Sequence, residues 1–114
     1  MSNVVIRISV MRCDPSEFER FRAMTVEVEQ VLRPGIEAMP GLLAFYTGAD
    51  ASNAAFSQTS IWTTIENAKQ LDRFQPMLDS GRQFTAAGAR FERPIINYAC
   101  LWEFGPRTEA GTAH

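Results

Sequence analysis

Apolar and polar positions alternate over residues 4–11. Val4, Ile6, Ile8 and Val10 share one phase, and Val5, Arg7, Ser9 and Met11 share the other. A two-residue period of this kind predicts a β-strand. Asp14-Pro15-Ser16-Glu17 then has the chemistry of a helix start. Asp14 can cap, Pro15 needs no N–H at the first position, and Glu17 can bond back to the cap. Phe18, Phe21, Met24, Val28, Val31 and Leu32 recur at three- and four-residue steps and form one apolar stripe. Glu19, Glu27, Glu29 and Arg33 lie mostly off it. Pro34-Gly35 is expected to break or kink the helix, leaving room for a short turn up to Met39.

Pro40-Gly41 punctuates the chain before a second strand over residues 42–47. Leu43, Phe45 and Thr47 alternate there with Leu42, Ala44 and Tyr46. Residues 48–55 are small and polar, as a hairpin loop requires. Residues 56–62 form the third strand, with Phe56, Gln58, Ser60 and Trp62 on one face. Thr63-Thr64-Ile65-Glu66 is a second capping box, and Ala68, Leu71 and Phe74 continue a helical stripe. Pro76 kinks or restarts this helix, and Met77, Leu78 and Phe84 still read as a helical face. Residues 95–104 predict the last strand. Residues 105–114 hold Gly, Pro, Thr, Ala and charge, and predict a flexible tail.

The element order is βαββαβ, the ferredoxin-like pattern of an α+β domain with a four-stranded antiparallel sheet. A chain of 114 residues accommodates one domain, here residues 1–104. In this fold both helices cover one face of the sheet, so the other face should be polar. The last strand contradicts that. It places Ile95, Ala99 and Leu101 on one side and Ile96, Tyr98, Cys100, Trp102 and Phe104 on the other. A sheet apolar on both sides needs both sides covered. Two such sheets packed face to face, a homodimer, meet that need.

Composition narrows the chemistry. The formal charge is -2, and the eleven basic residues are scattered, which argues against nucleic-acid binding. No apolar run approaches the roughly 20 residues that span a bilayer. Met1-Ser2-Asn3 lacks the regions of a signal peptide, so a cytoplasmic location is expected. Cys13 and Cys100 are too far apart for a metal-ligand spacing and are expected as buried free thiols. The single histidine is His114, and no phosphate loop or dinucleotide fingerprint is present. No cofactor and no metal is therefore expected. Eight Phe, two Trp and two Tyr are many large side chains for one small core. They either pack it or line a cavity.

The βαββαβ order, the Pro40-Gly41-Leu42 lead-in to the second strand, and Ser60-Ile61-Trp62-Thr63-Thr64-Ile65-Glu66-Asn67-Ala68 resemble the antibiotic-biosynthesis monooxygenase family. The resemblance covers residues 3–104. It implies a dimeric α/β barrel. It also implies several activities, among them the oxidation of phenolic compounds to quinones by O2 with no flavin, haem or metal. In that branch an amide side chain and a Trp on the third strand meet the substrate. Gln58 and Trp62 occupy such positions, with Gln where the family commonly has Asn. The haem-degrading branch needs an axial His from the second helix, which this chain lacks.

The candidate site follows from these residues. A cavity between sheet and helices is expected, walled by Trp62, Phe74 and Phe84, with Gln58 and Arg82 supplying polar contacts. Gln58, Trp62 and Arg82 are the candidate catalytic residues. Phe74, Phe84 and Tyr98 are the candidate ligand-binding residues. Arg7 and Asn97 are polar residues on apolar strands, suited to an interface or a pocket. The function that fits is cofactor-independent oxygenation of a small aromatic or enolisable compound. The alternative is a non-catalytic protein that holds an apolar or aromatic small molecule in the same pocket.

Overall fold

A computed structural model describes residues 4–105. Strand β1 (Val5–Arg12) forms where the alternation predicts it. Asp14 caps the next segment, accepting from the Ser16 backbone N–H at 2.9 Å and from the Ser16 hydroxyl at 2.7 Å. These bonds favour the charged carboxylate and hold its pKa below the ordinary value. One 3-10 turn, Pro15–Glu17, leads into α1 (Phe18–Glu37).

Helix α1 runs through Pro34 instead of breaking there. A proline forfeits one hydrogen bond with the carbonyl one turn earlier, here that of Gln30. Gln30 and Pro34 are both exposed, so water can satisfy that carbonyl, while Leu32 and Ile36 stay buried on the opposite side. Gly35 adds a contact that only a bare Cα permits. A Cβ built there would lie 2.5 Å from Cζ of Phe74. Gly35→Ala should therefore lose about 1–3 kcal/mol to overpacking, against a helix-propensity gain of about 1 kcal/mol. Urea titration should show a net loss of stability. A net gain would mean that the Phe74 ring yields freely.

The remaining elements are β2 (Leu42–Asp50), β3 (Ala55–Trp62), α2 (Ile65–Ala68), a 3-10 turn at Lys69–Arg73, α3 (Gln75–Ala86), β4 (Arg90–Phe91) and β5 (Ile96–Ala99). Thr64 caps α2 by accepting from the Asn67 N–H. Pro76 sits in the first turn of α3, so the second helical region is interrupted and then restarted. The sheet order is β2-β3-β1, with β4 and β5 both on the free edge of β1, and every pairing is antiparallel. This is an α+β ferredoxin-like arrangement.

The last strand differs from the sequence expectation. It is two short pieces, with β4 pairing Met11 and Arg12 and β5 pairing residues 5–8 of β1. Between them Pro94 has no N–H for the ladder. The ladder with β1 ends at the Val5–Ala99 pair, and just beyond it the Cys100 N–H donates to the Val4 carbonyl at 2.9 Å. Leu101, Trp102 and Phe104 are 81%, 79% and 84% exposed. The tail expected over residues 105–114 lies, from residue 106 on, outside the described residues.

The register assigns the two faces of the sheet. Val5, Arg7, Ser9 and Met11 of β1 lie in the same phase as Trp62, Ser60, Gln58 and Phe56 of β3. This face meets the helices. It carries apolar pairs at both ends and polar residues across its middle. Two core clusters result. One joins Met11, Phe18, Phe21, Phe56 and Phe84; the other joins Val5, Leu32, Ile36, Trp62 and Leu71. Val28 packs against both. The opposite face aligns Ile8 with Thr59 and Ile96, and Ile6 with Ile61 and Tyr98. It is largely apolar, and Tyr46, Ile96 and Tyr98 on it are exposed. Cys13 and Cys100 are buried free thiols. No helix among the described residues is long and apolar enough to cross a membrane.

Candidate functional site

The polar middle of the helix-facing sheet is the floor of a cavity of about 700 Å3. Pockets of this size hold drug-sized ligands. Apolar walls come from the clusters on either side, chiefly Met11, Val28, Phe45, Leu71, Met77 and Phe84. The polar groups fall into two sets.

The first set centres on Glu29. It projects from α1 over β3, where its Oε2 accepts from Nε2 of Gln58 at 3.0 Å. Its Oε1 accepts from the Thr47 hydroxyl on β2. One carboxylate thus joins the helix to two strands. Glu29 forms no ion pair among the described residues. A primary amide has two N–H donors, so Gln58 keeps one beyond its bond to Glu29.

Arg7 anchors the second set. It stands in the middle of β1, in phase with Val5 and Met11, and is only 4% exposed. Its Nη2 donates to Oδ1 of Asp72 at 2.6 Å, from the 3-10 turn before α3. Its Nη1 has no hydrogen-bond partner among the described residues. Arg93 enters the same cavity from the interruption between β4 and β5, its guanidinium 4.8 Å from the centre of the Phe91 ring. Although the residue is exposed overall, partial desolvation lowers its pKa from the usual arginine value. The charge of Arg7 lowers it further, and Asp72 acts in the opposite direction. Arg7, Asp72 and Arg93 thus all line one cavity.

The structure distributes the expected site residues unevenly. Gln58, Arg82 and Phe84 line the cavity. Arg82 does so at the rim, its side chain 70% exposed and paired with Asp79 at 2.7 Å. Trp62 is 0% exposed and belongs to the core cluster with Val5 and Leu32, where its Nε1 donates to the Ser60 hydroxyl at 2.8 Å. Phe74 packs over Gly35 in that same cluster. Neither is part of the cavity wall. Tyr98 lies on the opposite face of the sheet, cross-strand from Ile6.

Glu29, Asp72 and Arg93 were not among the expected site residues. For Glu29 a signal existed: it lies four residues after Thr25 and three before Leu32, and both of these also line the cavity. Asp72 and Arg93 carried no comparable local signal.

No protein-family model matches the sequence. No curated protein matches it. Solved structures do. One is named as a candidate antibiotic biosynthesis monooxygenase from Nitrosomonas europaea. It has a TM-score of 0.67 at 17% identity, covering 92% of this chain and 97% of that one. A second, so named from Deinococcus radiodurans, has a TM-score of 0.68 at 14% identity, covering 90% and 97%. A single-substitution variant of SnoaB, a cofactor-independent oxygenase from Streptomyces nogalater, has a TM-score of 0.61 at 13% identity, covering 92% and 100%. The chain shares their fold over nearly its whole described length.

Proposed function

We propose that this chain, built on the fold of the structures named antibiotic biosynthesis monooxygenases, oxidises a small aromatic or enolisable compound with O2 and no added cofactor. The observation that carries the reading is the Glu29–Gln58 pair at the wall of an otherwise largely apolar cavity. Glu29 takes the proton. The free N–H of Gln58 holds the substrate oxygen on which negative charge then rests. Carboxylates are weak bases, so the substrate must be acidified by conjugation, as phenols and 1,3-dicarbonyl compounds are.

The resulting carbanion-like anion transfers one electron to O2. The organic radical and superoxide then combine into a C–O bond, and the peroxide takes up a proton. At a carbon that still bears hydrogen, the hydroperoxide loses water and leaves a carbonyl. The net change is CH2 plus O2 to C=O plus H2O. The protein binds, deprotonates and excludes bulk water. Arg82 guards the rim, and Trp62 holds β3 in place from the core.

Oxygen uptake by metal-free, flavin-free protein tests this against anthrones, quinols and hydroxylated aromatics. At least one compound that binds should be consumed with O2. Glu29→Gln should lower kcat by roughly a hundredfold, the scale of general-base catalysis. Binding without oxygen uptake by any compound would assign the chain to the non-catalytic alternative.

The working unit in this reading is a homodimer joined through the outer faces of the two sheets. Ile6, Ile8, Ile61 and Ile96 support it, because among the described residues no helix packs on that face.

A further inference from the structure

We infer that the ligand of this cavity carries a second, permanently anionic group, a carboxylate, and that this group seats between Arg7 and Arg93. The inference deepens the reading above, because it takes the same cavity as the ligand site. It adds a contact that oxygenation itself does not require.

A buried guanidinium must have its charge and its donors satisfied. Arg7 meets this condition only in part. Asp72 takes one Nη2 contact, Nη1 has no partner among the described residues, and Asp72 itself is half-exposed. The position is held by the sheet, since Arg7 pairs across to Ser60 on one side and Asn97 on the other. The guanidinium is buried and held by its bond to Asp72. Arg93, whose Nη1 donates to the Glu92 carbonyl at 2.9 Å, brings a second cation to the same cavity. Within this second polar set, apart from Glu29, two guanidinium groups face one carboxylate, a local excess of one positive charge that matches a monoanion. A carboxylate matches the planar donor edge of Arg7 and can accept two parallel N–H bonds.

The other polar groups at the cavity serve different ends. Glu29 is engaged by Gln58 and Thr47, and Arg82 is engaged by Asp79. A ligand that places its carboxylate at Arg7 and Arg93 therefore has its direction fixed, with its remaining apolar body among Phe45, Met77 and Phe84.

The test uses 2-naphthoate and its neutral isostere 2-naphthamide, titrated calorimetrically against the whole protein. Naphthoate should bind roughly ten- to a hundredfold more tightly than naphthamide, the scale of one or two hydrogen bonds to a charged group. Arg93→Met, a substitution at an exposed position, should reduce that preference several-fold, with naphthoate affinity falling more than naphthamide affinity. Arg7→Met should abolish it. Should that second variant fail to fold, the Arg93 variant decides alone. Equal binding of the two compounds, no binding of either, or a preference that survives Arg93→Met would overturn the inference. None of these measurements needs turnover. A protein that prefers naphthoate but consumes no O2 would retain the anion seat and lose the oxygenase reading.

Discussion

Trp62→Ala should destabilise the protein by about 3–5 kcal/mol, the usual loss for a fully packed aromatic. The size follows from its position. Trp62 is wholly buried, closes β3, and lies cross-strand from both Val5 and Leu42. Its removal leaves a hole among Leu32, Ile36, Ala68 and Leu71, all of them fixed by secondary structure and unable to collapse inward. It also strips the Ser60 hydroxyl of its indole partner, and a buried polar group without a partner adds its own penalty. Urea unfolding followed by far-UV circular dichroism measures the loss. A loss below about 1 kcal/mol combined with weakened ligand binding would place the indole at the ligand instead of in the core.

A charge on the outer sheet face should have an equally large effect on assembly. Wild-type protein at micromolar concentration should scatter light as twice its 12.8 kDa chain mass. Ile8→Asp should scatter as the single chain. Ile8 sits in the central strand with Thr59 and Ile96 on its flanks, so a face-to-face partner would desolvate any group placed there. Burying an unpaired carboxylate costs several kcal/mol, enough to raise a micromolar dissociation constant a thousandfold or so. The substitution leaves the helix-facing core untouched, so the monomer should remain folded. Wild-type protein that scatters as 12.8 kDa at every concentration would eliminate the sheet-to-sheet dimer.

The local parts of the fold were legible in the sequence. Asp14 and Thr64 cap where their spacing says, because capping is decided within three residues. The phases of β1 and β3 were legible as well, because alternation has no other simple origin. The apolar alternation of the last strand continues past Ala99, but the described ladder with β1 ends at the Val5–Ala99 pair, and alternation alone does not say where pairing ends. Pro34-Gly35 predicts a break or a kink because propensity is local, whereas the burial of Leu32 and Ile36, which favours an unbroken helix, is not.

The site was half legible. Gln58 and Phe84 stand out as an amide in an apolar phase and an aromatic on a helical face. Arg7 was visible as an anomaly, but its partner Asp72 is 65 positions away. Glu29 reads as lying mostly off the apolar stripe, because that stripe includes Val31, which is 72% exposed. Trp62 looked the same whether it walled a cavity or filled a core. Only the register, which puts it beside Val5, separates the two.

The divided core bears on how the molecule comes apart. Its two apolar clusters share the sheet, but among the described residues only Val28 packs against both. Each half can therefore loosen with little penalty to the other, and amide hydrogen exchange should show two opening events of different free energy. A molecule bound between the halves would touch both. Its arrival would merge the two openings into one, so that ligand binding is read as a gain in cooperativity as well as in stability.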